Sequence, residues 1–220
     1  MERNGPVSVS RPTIRRLPTY FPIVEQARHE GQDWISSAQI ATALGLESIQ
    51  VRKDLAAIGV AGQPRLGYPV TQLMQAVERC LGWNNVTDAF VIGAGHLGSA
   101  LAGYRGFERH GLNVVALFDN DPEKTGTKVH GKDILAMSKF PDLVRRMRVR
   151  IAILTVPDEV AEKVARRAVE AGIQAIWNFT AAQLAVPGEV IVERMDLAAS
   201  LAVLSSRLVA QRARLERSDA

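Results

Sequence analysis

The sequence is poor in cysteine. Cys80 is the single cysteine among 220 residues, so the chain can form neither an internal disulfide framework nor a zinc site built on several thiolates. We therefore expect a reducing, cytoplasmic setting and no structural metal. Cys80 continues an apolar helical stripe with Leu73, Val77 and Leu81, which favours buried packing over a redox-sensing thiol.

Long apolar runs are also missing. No segment approaches the roughly 18 apolar residues that a transmembrane helix requires. The N-terminal stretch MERNGPVSVSRPTIRR lacks the hydrophobic segment of a secretory signal. We expect neither membrane insertion nor secretion. Hydrophobic residues nevertheless make up 47% of the chain, which is enough for packed cores and argues against extensive disorder.

The excess of positive charge is small. The chain has 27 Lys and Arg residues against 23 Asp and Glu residues, a formal net charge of +4. This balance permits a phosphate-rich partner such as nucleic acid, and an ordinary solvated surface explains it equally well. The polar first 12 residues, with two prolines, predict a loose tail. Together with Arg15 and Arg16, this tail is either a basic arm that touches DNA or a solvated segment.

The N-terminal part of the chain predicts short helices separated by turns. The expected helices are 19–30 (continuous, or kinked at Pro22), 38–44, 47–58 and 71–81. Ser36 or Ser37 can cap the second helix and Thr71 the fourth, because a hydroxyl oxygen accepts a hydrogen bond from an unpaired backbone N–H. In the third helix, Ile49 is expected among the inward-facing residues.

A glycine-punctuated segment, 59–70, follows the third of these helices and predicts a strand pair or an extended loop. Two short helices followed by such a segment are typical of a winged helix-turn-helix domain. The second helix of the pair carries Ser48, Gln50, Arg52 and Lys53 near its N-terminus. These polar donors suit base edges and phosphates in a major groove, and a solvated helix face explains them equally well.

Strands and helices alternate in the remainder of the chain. The expected strands are 89–92, 114–118, 150–156, 173–179 and 190–192, and the expected helices are 96–105 and 158–171. This order predicts a parallel sheet with right-handed crossovers. In the helix 158–171, Val160 is expected to face inward. An amphipathic helix from Asp196 to about Arg214 ends the chain, with the apolar stripe Leu197, Leu201, Leu204 and Leu208.

These patterns predict an α/β protein with three parts. The break at 82–85 separates a winged-helix domain, 1–83, from a Rossmann-like domain, 84–195, and the terminal helix, 196–220, follows.

A glycine-rich sequence stands between the first strand and helix of the second domain. It reads Gly93-Ala94-Gly95-His96-Leu97-Gly98. In this context the pattern predicts a dinucleotide site: Gly93 makes the tight turn, Gly95 admits a pyrophosphate, and Gly98 lets the helix press on the sheet. A glycine-tight corner without a ligand is the alternative. His96 either contacts a phosphate or points to solvent.

Asp119 ends the next strand, about 26 residues after Gly93, which is near the sequence spacing expected of a ribose-binding acid. A carboxylate there accepts hydrogen bonds from ribose hydroxyls and repels a 2′-phosphate. The sequence therefore favours NAD(H) over NADP(H). A surface aspartate without a ligand is the alternative.

Taken together, these motifs resemble those of the Rex family of redox-sensing transcriptional repressors. The matching residues span most of the chain: Gln50–Leu55, Gly59, Gly62, Gly67-Tyr68, Gly93–Leu101, Tyr104, Phe118-Asp119, Asp121-Pro122, Gly126, Thr155–Pro157, Asn178-Phe179 and Asp196. In the wing, the sequence Gln63-Pro64-Arg65-Leu66 stands where the family usually has a basic residue followed by glycine.

The resemblance implies a homodimer that binds double-stranded operator DNA when NADH is scarce and releases it when NADH binds. It places the nicotinamide near Tyr104, Thr155, Pro157, Asn178 and Phe179. It places the last helix, exchanged in the dimer, against the partner subunit. It also implies DNA contacts from the third helix, from Arg65 in the wing and from Arg16.

The resemblance further implies a switch between the subunits. Asp196 matches an acid that pairs across the interface according to cofactor state, with a partner in the region of Arg16, and Tyr104 belongs to the same switch.

Two other functions fit parts of the sequence. A nicotinamide-dependent dehydrogenase with an attached helical domain would need an acid–base residue beside the nicotinamide. The later strand ends supply no suitable His or Lys, so we expect no enzyme. A nucleotide-binding subunit of the CoA-ligase type shares the fold, but would have no use for the sequence Gln50–Asp54.

Overall fold

The computed structural model describes residues 9–218, without the side chains of residue 197 and residues 213–218. The chain divides into two compact units, Met1–Asn85 and Val86–Ala220. Within the described part of the chain, no helix is long and apolar enough to cross a membrane. No group of three or more His, Cys, Asp or Glu residues that could hold a metal ion occurs there either.

The first unit is a small helical domain with a two-stranded antiparallel sheet. Its elements are α1 (Arg11–His29), β1 (Trp34–Ile35), α2 (Ser37–Leu44), α3 (Ser48–Ala57), β2 (Tyr68–Pro69) and α4 (Val70–Leu81). The core contains Leu17, Tyr20, Ile40, Leu55 and Leu73, all fully buried. This is the helix-turn-helix and wing arrangement that the sequence predicts, with α3 in the position of the recognition helix.

The first helix begins earlier than predicted. It starts at Arg11, because the Ser10 hydroxyl accepts a hydrogen bond from the Thr13 N–H at 3.3 Å and a proline is tolerated in the first turn. The helix continues through Pro18 and Pro22, so the predicted start near Thr19 is wrong. Residues 1–8 of the predicted loose tail lie outside the described residues.

Two further expectations for this unit are wrong. Helix α4 begins at Val70 with Pro69 at its N-cap position, so Thr71 lies inside the helix and does not cap it. In α3, Val51 is fully buried and Ile49 is 50% exposed. The helical spacing of apolar residues admitted both faces, and the packing of α3 against its neighbours selected the one that contains Val51 and Leu55.

The second unit is an α/β domain with a seven-stranded sheet. Its elements are β3 (Thr87–Ile92), α5 (His96–Ala102), α6 (Gly106–Arg109), β4 (Leu112–Asp119), β5 (Lys128–Val129), β6 (Lys132–Ala136), α7 (Phe140–Met147), β7 (Ile151–Leu154), α8 (Asp158–Ala171), β8 (Ala175–Asn178), β9 (Ile191–Arg194) and α9 (Leu197–Ser218). The strand order is β5-β6-β4-β3-β7-β8-β9, and the pairs are parallel except β5–β6. The chain thus winds outward from β3 in both directions. The crevice at the carboxyl ends of β3, β4 and β7 is where this fold binds ligands.

Several elements of this unit differ from the prediction. The hairpin of β5 and β6 and the helix α7 were not expected, since the hairpin strands are short and partly polar. The predicted helix 96–105 ends at Ala102, and Gly106 begins a separate short helix. Val160 is 42% exposed, because Ala161, Ala165 and Ala168 form the buried face of α8.

Candidate functional site

The three glycines of the turn after β3 have different surroundings. Gly93 has a φ of +104°, and a Cβ atom there would lie 2.6 Å from the Thr155 carbonyl oxygen. A Cβ atom at Gly98 would lie 1.9 Å from the Gly93 carbonyl oxygen. At Gly95 a Cβ atom would meet no protein atom within 4 Å. The fold therefore requires glycine at positions 93 and 98. Gly95 borders open space, so a ligand can approach its backbone closely.

A cavity of about 750 Å³ opens at this turn, within the range typical of ligand sites. Its lining includes the turn, the end of β4 and the start of α8. Of the residues predicted for the cofactor, it is lined by Gly93, Gly95, His96, Leu97, Asp119, Thr155 and Pro157. It is also lined by Phe118, Met137, Val160 and Val164, and by the cationic residues Lys124, Lys163 and Arg167. A nucleotide fits this combination of an open glycine, a carboxylate, an apolar wall and cations.

Asp119 has a second role that the sequence did not reveal. Its carboxylate accepts hydrogen bonds from the Ala94 N–H at 2.7 Å and from the Asp121 N–H at 2.9 Å. The Lys124 amino group lies 3.7 Å away. Burial alone would raise the pKa of Asp119, and these backbone donors and Lys124 outweigh it and hold that pKa below its ordinary value. The ionised Asp119 therefore holds the glycine turn in shape, and the buried Ala94 serves the turn through this bond.

Thr155 also fixes the turn from the neighbouring strand. Its hydroxyl donates to the Gly93 carbonyl oxygen at 2.9 Å, with the Ile92 carbonyl oxygen at 3.1 Å. Pro157 occupies the N-cap position of α8 and lines the cavity. Both residues line the cavity, and Thr155 also shapes the glycine turn; their contact with a nicotinamide stays a prediction.

Three residues predicted near the nicotinamide, Tyr104, Asn178 and Phe179, lie outside the cavity lining. Asn178 is 1% exposed. Its side-chain Oδ1 accepts a hydrogen bond from the Thr180 N–H at 2.9 Å, and its side-chain Nδ2 donates to the Ala182 carbonyl oxygen at 3.0 Å. Phe179 packs against Trp177 with ring centroids 5.0 Å apart. Asn178 therefore stabilises the loop after β8, and a direct contact of Asn178 or Phe179 with a cofactor stays a prediction.

The predicted switch residues lie at the surface of the single chain. Tyr104 is 58% exposed, and its ring packs edge-on against Phe107 at 4.9 Å. The Asp196 carboxylate accepts a hydrogen bond from the Ala199 N–H at 2.9 Å and lies 3.6 Å from the Arg194 guanidinium. Both side chains are accessible to a second subunit.

Sequence reasoning missed Lys124, Lys163 and Met137 in the cavity. Lys124 comes five residues after Asp119 in the sequence. A lysine so soon after the acidic end of the strand was a signal from which the pair could have been predicted. Lys163 and Met137 lie on elements distant in sequence, and no local pattern indicates them.

The residues predicted to contact DNA fall into two groups. Arg52 and Lys53 of α3 and Arg65 of the wing are exposed, and Arg52 and Arg65 line one surface groove with Ser36 and Tyr68. Ser48 is half-buried at the start of α3. Arg65 has a φ of +67°, a conformation that costs a non-glycine residue roughly 1–2 kcal/mol. Arg65 of the wing and Arg52 of the recognition helix thus place their positive charges at the same surface groove.

Gln50 and Arg16 form the second group. The Gln50 amide donates to the Asp54 carboxylate at 3.1 Å, and the Arg16 guanidinium donates two hydrogen bonds of 2.7 Å to the same carboxylate. Both side chains are therefore engaged within the protein.

Comparisons with known proteins agree with this arrangement. A family model described as a putative DNA-binding protein N-terminus matches residues 8–56, and one described as a CoA binding domain matches residues 84–182. The redox-sensing transcriptional repressor Rex of Treponema denticola is 47% identical over 193 residues, which cover 88% of this chain and 92% of that protein. The same repressor of Carboxydothermus hydrogenoformans is 43% identical, covering 88% and 93%.

A solved structure shows the same similarity over both units. The structure of RSP in complex with β-NAD⁺ and operator DNA has a TM-score of 0.86 and 36% identity, and covers 94% of this chain and 96% of that one. RSP is described as a Rex-family repressor. With relatives this similar over nearly its whole length, the chain belongs to the Rex family of redox-sensing transcriptional repressors.

Proposed function

We propose that this protein is a transcriptional repressor that binds operator DNA and releases it when NADH binds. The observation that carries the proposal is that one chain contains two features. One is a winged helix with exposed Arg52, Lys53 and Arg65, and the other is a cavity lined by the glycine turn and Asp119. Structures of the relative RSP with β-NAD⁺ and operator DNA and with β-NADH support the pairing of these two ligands. Acting on DNA, it would be cytoplasmic.

The cavity residues would hold a nicotinamide dinucleotide as follows. The pyrophosphate would lie over Gly95, beside His96, the next residue in the chain, which also lines the cavity. The Asp119 carboxylate would accept from ribose hydroxyls. The apolar wall of Phe118, Met137 and Val160 suits a flat base. The cofactor serves here as a signal, and the residues supply binding and no chemical step.

Asp119 is expected to determine cofactor choice. We expect Asp119→Ala to lose about 10- to 100-fold in NADH affinity. It removes a hydrogen bond to a charged group, which contributes roughly 1.5–3 kcal/mol, and it also removes the bond to the Ala94 N–H that shapes the glycine turn. Affinity for NADPH should fall less, since the repulsion of its 2′-phosphate disappears as well. Titrations of both nucleotides by tryptophan fluorescence measure the change.

Asp121→Ala is the matched control, because Asp121 also pairs with Lys124, at 3.4 Å, and lies outside the cavity lining. A wild-type preference for NADH in a folded Asp119→Ala variant would show that another residue distinguishes the two cofactors.

The terminal helix α9 is proposed to join two copies of the chain. Leu201, Leu204 and Leu208 are 62%, 65% and 48% exposed, and burying one such side chain contributes roughly 1.5–3 kcal/mol. A dimer also presents two recognition helices to half-sites about one helical turn apart. In this arrangement Asp196 would pair across the subunits according to cofactor state, with a partner in the region of Arg16, and Tyr104 would belong to the same switch. The helix exchange of the dimer is part of the proposal.

We expect the double variant Leu204→Glu/Leu208→Glu to be a folded monomer with weak operator binding. Both side chains are exposed in the single chain, so the substitutions leave its packing intact and place charges in the proposed interface. Sedimentation velocity measures the mass, and a DNA titration measures binding. A variant that remains a dimer would place the interface elsewhere.

The function itself is tested by selecting an operator from random DNA and titrating the complex with NADH, NAD⁺ and CoA. We expect release by NADH at concentrations at which CoA has no effect. Failure to select any sequence, or release by CoA alone, would contradict the proposal. Catalytic turnover of NADH with carbonyl substrates would favour the dehydrogenase alternative.

A further inference from the structure

One buried carboxylate links the first helix to the recognition helix. Asp54 of α3 is 1% exposed and accepts hydrogen bonds from four side chains. The donors are the Thr13 hydroxyl at 2.9 Å, the Arg16 Nε and Nη2 atoms at 2.7 Å each, the Tyr20 hydroxyl at 2.6 Å and the Gln50 amide at 3.1 Å. Three of these donors belong to α1 and one to α3.

The spacing of the donors explains how they converge. Thr13, Arg16 and Tyr20 are three and four residues apart, so they lie on one face of α1. Gln50 lies four residues before Asp54, one turn earlier on α3. Arg16 binds through the side of its guanidinium, in the two-bond geometry that fixes both distance and angle. Four of the five hydrogen bonds to the carboxylate therefore come from α1, and α3 can neither rotate nor slide against α1 without breaking several of them.

The charge states in this cluster are stable at neutral pH. Burial alone would raise the pKa of Asp54, and the hydrogen bonds from Arg16, Tyr20 and Thr13 outweigh it and lower that pKa to about 2. Burial, together with the neighbouring carboxylate, raises the pKa of Tyr20 to about 12. The carboxylate therefore stays ionised and the phenol stays protonated.

Stability alone does not account for such a cluster. Replacing a buried ion pair by apolar side chains of similar volume is often neutral for stability or even stabilising. What apolar side chains do not supply is a fixed direction, whereas a set of directed hydrogen bonds does. Asp54 immediately follows Lys53 and lies two residues after Arg52, so any rotation of α3 at Asp54 displaces the side chains that face DNA.

We propose that Asp54 is a positioning residue for operator recognition, which holds α3 to α1 through Arg16 and Tyr20. Arg16 accordingly acts on DNA binding through Asp54 and makes no contact with a phosphate. This inference rests on the proposed function, because it assumes that α3 reads the operator.

The test is the double variant Arg16→Met/Asp54→Leu, which leaves the net charge of the chain unchanged and fills the same space. We expect its operator affinity to fall about tenfold, the effect of one lost base contact. Affinity for non-specific DNA, the slope of binding against salt concentration and NADH affinity should equal those of the wild type. Circular dichroism and a thermal melt confirm that the variant is folded.

The matched control is Arg166→Met/Glu162→Leu. It removes an Arg–carboxylate pair of the same 2.7 Å separation, exposed on α8, and should leave operator affinity unchanged. Tyr20→Phe is the second, milder variant, because it removes one donor and keeps the buried ring. We expect it to lower operator affinity by about threefold, because it removes one of the hydrogen bonds that hold α3 to α1, again without a change in salt slope.

Three results separate the possibilities. Wild-type operator affinity in the folded double variant and in Tyr20→Phe would overturn the positioning role. Equal losses for operator and non-specific DNA, with a salt slope lower by about one, would show that Arg16 contacts a phosphate and would overturn the inference. Failure of the wild-type protein to prefer any operator is a different result, since it would overturn the proposed function itself.

Discussion

Gly95→Val is expected to give a protein that binds operator DNA as the wild type does and no longer responds to NADH. The backbone at Gly95 has φ −78° and ψ −172°, an extended conformation that valine adopts readily. Its Cβ atom would meet no protein atom within 4 Å, so the domain should fold. The branched side chain would instead fill the space proposed for the pyrophosphate.

We expect NADH affinity to fall by a hundredfold or more, which corresponds to about 2.7 kcal/mol. Operator binding should stay at the wild-type level at NADH concentrations that release the unmodified protein. A fluorescence titration with NADH and a DNA shift assay with and without NADH measure the two effects. Release of the variant at wild-type NADH concentrations would show that the glycine turn is only a structural corner.

Gly98→Val provides the contrast within the same turn. A Cβ atom there would lie 1.9 Å from the Gly93 carbonyl oxygen, so the second unit should be destabilised and melt at a lower temperature. If Gly95→Val and Gly98→Val both have the melting temperature of the wild type, the two glycines do not differ in the way that the structure indicates.

Arg52→Ala is expected to lower operator affinity by about 10- to 100-fold, within the roughly 1–3 kcal/mol that a base contact contributes. Arg52 is exposed on α3 and lines a groove with Arg65, so its removal should not affect folding. NADH affinity should be unchanged. Loss of a base contact would relax specificity at one operator position, and loss of a phosphate contact would lower the salt slope by about one.

Arg28→Ala is the control, because it removes the same charge from an exposed position in the last turn of α1. Lys53→Ala is a second probe of α3 and should weaken operator binding in the same way. Wild-type operator affinity in both α3 variants would mean that another element reads the DNA.

Much of the candidate site follows from local sequence. The pattern Gly93–Gly98 between a strand and a helix predicted the turn, and Asp119 was expected at the end of the next strand. Gly93, Gly95, His96 and Leu97 of the turn, and Asp119, line the cavity. The helix-turn-helix was also predictable, because Ser36 caps α2 and Gly45 ends it in a left-handed conformation. These features depend on residues a few positions apart, where backbone conformation and side-chain periodicity act directly.

The helix boundaries show how far local patterns reach. The prolines of α1 predicted a helix that starts near Thr19 or is kinked at Pro22. The helix instead begins at Arg11 and continues through both prolines, because its buried face, with Leu17, Tyr20 and Val24, packs into the core. Packing over a whole helix contributes more than the loss of single backbone hydrogen bonds. The hairpin of β5 and β6 was missed for a different reason, because its strands are too short to give a periodic signal in the sequence.

By itself the sequence indicated a winged-helix part followed by a Rossmann-like part, the glycine turn, the carboxylate of Asp119 and the cations of α3. Only the tertiary structure decided what lies opposite them. It brought Lys163 and Met137 to the cavity, directed Asp119 to the Ala94 N–H, and joined Arg16 to Asp54 across 38 residues of sequence. The physical reason is that a turn or a helix is stabilised by neighbours in the chain, whereas a buried charge finds its partners only where packing brings distant elements together.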